Sequence, residues 1–141
     1  MNLMQEIAVF LDSRGIVEYD PKLGGNVFIP SYVGIVGAPD EAILIRPTGG
    51  LRADGKRPYD FPTIQIIVRS TTDPDPGMET AQAIHDELHG FHADSFSRGG
   101  REIVNCIALQ SMPVYIGMDA NGRHEYSMNF QLHVRNENRR T

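Results

Sequence analysis

Over residues 123–135 apolar and polar side chains alternate. Tyr126, Met128, Phe130, Leu132 and Val134 hold the even positions; Glu125, Ser127, Asn129, Gln131 and His133 hold the odd ones. A period of two puts each set on its own face of an extended chain, so the pattern predicts a long antiparallel strand with one wet face. Asn121-Gly122 just before it is a strong two-residue hairpin signal, and residues 113–117 read as the short strand on the other side of that turn. Residues 63–69 (TIQIIVR) repeat the alternation, with Ile64, Ile66 and Val68 on one face and Thr63, Gln65 and Arg69 on the other. Residues 42–46 (AILIR) form an apolar β-type run, and 27–29 a short extended piece. Residues 101–110 (REIVNCIALQ) carry apolar groups on both faces, as a central strand does.

Two segments switch to helical spacing. Leu3, Ile7, Phe10 and Leu11, with Ala8 beside them, share one face of a helix over residues 2–14. Asn2 with Gln5 makes a capping pair, and Gly15 supplies the left-handed stop. A second helix opens with Asp75 as N-cap and Pro76 at its first turn. It buries Met78, Ala81, Ile84 and Leu88, and stops at Gly90. Pro and Gly content makes loops of 19–26 and 47–62. The order of elements predicts an α+β fold, a mainly antiparallel sheet with two helices packed on one face. A single domain is expected over 1–135, followed by a polar C-terminal tail, 136–141.

The 141 residues suit one domain with a sizeable core. The first eleven contain no Lys or Arg, unlike a signal peptide, and no run is long and apolar enough to span a membrane. One cysteine, Cys106, leaves no intrachain disulfide and fits synthesis in the cytoplasm. The net charge of −5 disfavours gripping nucleic acid, which needs clustered cations. Charge is unevenly spread. From Ser70 to Ser97 there is no Lys or Arg, but there are Asp73, Asp75, Glu79, Asp86, Glu87 and Asp94; Arg46, Arg52, Lys56 and Arg57 cluster around one acid, Asp54.

Candidate chemistry is thin. His85 and His89 lie at i and i+4 in HDELH, a spacing that can hold zinc. Asp86, however, stands where zinc-protease chemistry requires a glutamate base, and the segment reads as a polar helix face. The alternative of a small metal-dependent hydrolase would rest on those two histidines. Cys106, among Val104 and Ile107, reads as a buried, inert thiol. Asp73, Asp75 and Asp119 read as capping and turn residues. The pairs Gly24-Gly25, Gly49-Gly50 and Gly99-Gly100 lack the Lys-Ser or Lys-Thr of a phosphate loop. No catalytic, cofactor or metal site is expected.

Several blocks together resemble the minor capsid and tail-terminator proteins of tailed bacteriophages: AILIRPTGG at 42–50, PTIQIIVRS at 62–70, AQAIHDELHG at 81–90 and PVYIGMDANGRHEYSMNFQLHVR at 113–135. The resemblance implies a structural virion protein without enzyme activity or cofactor, made in the host cytoplasm. It implies a homo-oligomeric ring, usually hexameric, that caps the tail tube and joins it to the head-side connector while DNA passes through the lumen. A head-closure or neck role remains the alternative. Rings use heterologous contacts, in which one patch meets a different patch on the next copy. The charge asymmetry suits this: Arg46, Arg52, Lys56 and Arg57 of one copy would face Asp73, Asp75, Glu79, Asp86 and Glu87 of the next, with Tyr59 and Phe61 as apolar anchors. The polar face of the last strand is expected to line the lumen or meet another sheet.

Overall fold

The computed structural model describes residues 1–20, 24–30 and 38–136. The elements, in chain order, are α1 (Leu3–Ser13), β1 (Tyr19–Asp20), β2 (Gly24–Gly25), β3 (Val27–Phe28), β4 (Ala42–Gly50), β5 (Tyr59–Asp60), β6 (Pro62–Arg69), α2 (Pro74–Leu88), β7 (His92–Ser95), β8 (Glu102–Ala108), β9 (Val114–Met118) and β10 (His124–Arg135). The main sheet runs β3-β4-β6-β10-β8-β7, with β5 and β9 also paired to β10. Every pairing is antiparallel except that of β3 with β4. The expected α+β architecture is therefore the observed one.

β10 organises the molecule. Its first half is flanked by β6 and β9 and its second half by β8 and β5. The alternation seen in the sequence is the alternation of burial: Tyr126, Met128, Phe130, Leu132 and Val134 all enter the core. Ile64, Ile66 and Val68 join them from β6, as do Ile7 and Leu11 from α1 and Ala81, Ile84 and Leu88 from α2. Met78, expected in that stripe, is only partly buried at its edge.

α1 begins with the reciprocal cap anticipated from Asn2 and Gln5, at 2.8 and 2.9 Å. α2 begins two residues earlier than expected. Its cap is Asp73, not Asp75; the Asp73 carboxylate accepts the Asp75 N–H at 3.1 Å. The sequence offers two successive Asp-Pro steps. The earlier one wins because Pro74 and Pro76 both fall in the first turn, where a missing N–H breaks no intrahelical bond. Ser70, fully buried, ties this turn to the end of β6 by accepting the Gly77 N–H at 3.0 Å.

Other expectations are corrected by pairing. Residues 19–26 contain the β1–β2 ladder, and 47–62 is not one long loop: β4 runs on to Gly50, β5 pairs with β10, and β6 starts at Pro62. A bulge between Pro47 and Gly50 lets β4 accommodate its proline and glycines, and β3 covers only Ile43 and Leu44, so the rest of β4 has sheet on one side among the described residues. Gly50 has φ +123°, and a Cβ there would lie 2.2 Å from the Phe61 carbonyl oxygen, so the turn into Leu51 requires glycine. Arg69 does not point to solvent. It is buried and donates to the carbonyls of Asp40 and Pro39 at 2.9 and 2.7 Å. β7, too short and polar to show a period, was not expected at all. β8 buries Ile103 and Cys106 but leaves Ile107 exposed, so only one of its faces is core. Asn136 belongs to the fold rather than to a tail, its N–H donating to Pro58 O at 2.7 Å; the remainder of the expected tail, 137–141, lies outside the described residues.

Glu6 was unremarkable in the sequence, yet it is buried. Its carboxylate accepts the Arg101 backbone N–H at 2.9 Å and pairs with the Arg101 guanidinium. This fastens α1 to the start of β8. A Cβ on Gly100 would lie 2.4 Å from the same carboxylate.

Candidate interaction surfaces

The candidate residues fall at two ends of the sheet. Tyr126 donates its hydroxyl to Pro74 O at 3.1 Å, and Ser70 N donates to His124 O, so the acidic start of α2 lies beside the β9–β10 hairpin. Asp73, Asp75, Glu79 and Asp86 are exposed there and along the helix; Glu87 is half-buried beside Arg14, at 3.7 Å. The turn carrying Arg52, Lys56 and Arg57 lies at the other end, where Tyr59 pairs with Arg135. Nine residues of strand separate Tyr126 from Arg135, about 30 Å at 3.3 Å per residue. The acidic start of α2 and the basic turn therefore do not meet within one chain. Arg52, Lys56 and Arg57 are exposed and form no side-chain ion pair among the described residues. The Asp54 carboxylate accepts the backbone N–H groups of Lys56 and Arg57 at 2.9 and 3.1 Å, shaping the turn that displays them. Arg46 is elsewhere, on β4, donating to Gln65 at 2.7 Å.

Tyr59 and Phe61 are half-buried and flank the His133 ring, with centroids 5.1 and 4.7 Å from it. They form an aromatic group on the sheet face away from the helices. Along that face run Arg46, Gln65, Ser127, Asn129, Gln131 and His133. Gln65 donates to Ser127 at 3.0 Å, and Thr48 and Thr63 are joined at 2.8 Å. Ser127, expected to be wet, is buried beneath Gln65. Gln65, Asn129, Gln131 and His133 are half-buried, because β6 and β10 lie inside the sheet, whereas Arg46 is exposed.

The histidine pair serves α2. His85 is buried rather than on a polar surface, and its Nε2 donates to Gln110 O at 2.8 Å. His89 Nδ1 accepts the Ala108 N–H at 3.0 Å. The two rings thus pin the end of the helix to the last residue of β8 and to the segment after it, and no third ligand stands with them among the described residues. Burial raises the Cys106 thiol to about 12, which keeps it protonated. In the hairpin, burial acts to raise the Asp119 carboxyl, but N–H bonds from Arg123 and Asn121 and the Arg123 guanidinium outweigh it and hold it below its ordinary value. Arg123 also reaches Asp40 at 3.1 Å, tying the turn to the chain ahead of β4.

A further surface is apolar and exposed. Ile107, Leu109, Met112, Val114, Tyr115, Ile116 and Met118 are each 43–62% exposed. Ile107 pairs with Gln131 and Val114 with Ser127, which puts both on the sheet face away from the helices. Among the described residues β9 pairs only with β10, so it is an edge strand there. The signal was present: no charged residue occurs between Glu102 and Asp119. Apolar strand residues are usually core, so composition alone does not mark these as exposed.

A family model described as bacteriophage tail terminator protein matches residues 10–136. No curated protein and no solved structure gives a significant match.

Proposed function

Because the chain belongs to the bacteriophage tail terminator family, a structural family of the virion tail, we propose that it forms a ring which caps the tail tube and joins it to the head-side connector. The observation that carries this reading is the match over residues 10–136, which takes in nearly all of the described fold. The ring is a homo-oligomer, with six copies as the working number, and the tube protein and connector are its neighbours. A head-closure position in the neck is the second reading.

The distribution of surface chemistry supports the terminator reading. The acidic residues Asp73, Asp75 and Glu79 and the basic residues Arg52, Lys56 and Arg57 sit at opposite ends of one subunit, as head-to-tail closure requires. The polar face carrying Gln65, Asn129, Gln131 and His133 suits a lumen: it has few cations, and so gives passing DNA little to bind. Arg46 on that face is already engaged with Gln65.

Purified protein added to tail tubes that lack it is expected to appear in negative-stain images as extra density at one tube end only. Binding along the tube wall, or at neither end, would refute the capping role.

A further inference from the structure

We propose that the apolar strip 107–118 of one copy packs into the cleft around Leu51 of the next copy, and that this contact, more than the charges, holds the ring together. The inference rests on the reading of the chain as a ring subunit and names the junction.

The strip is large for a monomer. Seven side chains of this size at half exposure sum to roughly 600–700 Å², against ~300–600 Å² for the largest patch on a typical monomer; they wrap the edge strand, with Ile107 and Val114 on the face away from the helices and Tyr115 and Met118, opposite Tyr126 and His124, on the other. That is close to the ~800 Å² each partner contributes to a standard interface. The strip leaves the sheet at the edge strand β9, beside the first residues of β10.

The diagonally opposite corner holds a complementary feature. Leu3, Met4, Leu51, Ala53, Phe61 and Val134 line a cleft of about 410 Å³. Leu51 stands 64% exposed at its mouth. The cleft lies beside the last residues of β10, on the edge that β5 covers rather than the one β9 covers. A patch on one corner and a cleft on the other cannot meet within a chain, and their pairing between chains is heterologous by construction.

The charges point the same way. Asp73, Asp75 and Glu79 lie at the strip end, and Arg52, Lys56 and Arg57 lie at the cleft end. Seating the strip in the next copy's cleft therefore brings acid to base at its rim. A self-paired, two-fold contact through either corner would instead set like charges together. The occupant is accordingly a second copy in head-to-tail order, with an apolar centre and a charged rim.

The test mixes isotope-labelled and unlabelled protein on tail tubes, then applies a zero-length carbodiimide and maps the cross-links by mass spectrometry. Lys56 is one of two lysines in the chain, the other being Lys22. Mixed-isotope links from Lys56 to Asp73, Asp75 or Glu79 are expected. They should fall at least tenfold in Leu51→Asp and in Ile116→Asp, both exposed positions, with circular dichroism unchanged. Links that persist in both variants, or mixed-isotope links joining other surfaces, would overturn this junction while leaving the ring intact. The absence of any mixed-isotope link on tubes that carry the protein would likewise overturn this junction, whereas the ring itself is refuted only if images of the tube end show isolated copies.

Discussion

Phe130→Ala is expected to lower the free energy of unfolding by about 3–5 kcal/mol, the usual cost of emptying a buried aromatic site. Phe130 is fully buried at the middle of β10, between Ile64 of β6 and Ala108 of β8, and its ring lies 6.2 Å from that of His85. Three strands and α2 converge on it, so no single element can move to fill the gap. A loss of that size is a large share of the 5–15 kcal/mol that holds a domain folded. Urea titration of the variant beside the parent measures it; a change below about 1 kcal/mol would mean that the core is not centred on β10.

Reversing Arg52, Lys56 and Arg57 to glutamate is expected to abolish assembly while leaving the fold intact. All three are exposed on a turn whose shape comes from the Asp54 carboxylate and backbone N–H groups, which the reversals do not touch. Each charge alone contributes little at a wet rim, but like charges set against each other at an interface cost several kcal/mol. At 1.4 kcal/mol per tenfold, that weakens association about a hundredfold or more. Native mass spectrometry, or occupancy of tail tubes, reads the loss. The converse set Asp75→Lys, Glu79→Lys and Asp86→Lys, mixed with the reversed chain, should restore the contact. Assembly that is indifferent to the reversals would leave the basic turn solvated and outside the junction.

The fold was largely legible because its main signals are periodic. β10 alternates without interruption and β6 does so except at Ile67, and α1 and α2 carry apolar stripes with recognisable caps. What escaped depends on contacts distant in sequence. Glu6 becomes a buried carboxylate only because Arg101 reaches it from β8. Arg69 turns inward only because the carbonyls of Pro39 and Asp40 are there to receive it. β4 continues through Pro47 and Gly50 because a bulge and β6 hold it, which local propensity does not report. For the interaction surfaces, composition exposed the charged halves, since a run of acids and a cluster of bases are visible in one dimension. The apolar strip is not distinguishable from core in sequence, because the sequence does not say that β9 lies at an edge with no further strand among the described residues.

Function in this chain is attributed to surfaces that fit other chains, and cryo-electron microscopy of the head–tail junction in the assembled particle tests that most directly. A closed ring of this protein is expected at the head-proximal end of the tail tube, with the Gln65–Asn129–Gln131 face toward the lumen and residues 107–118 seated against the Leu51 corner of the neighbouring copy. Isolated copies, or a ring with that polar face turned outward, would contradict it.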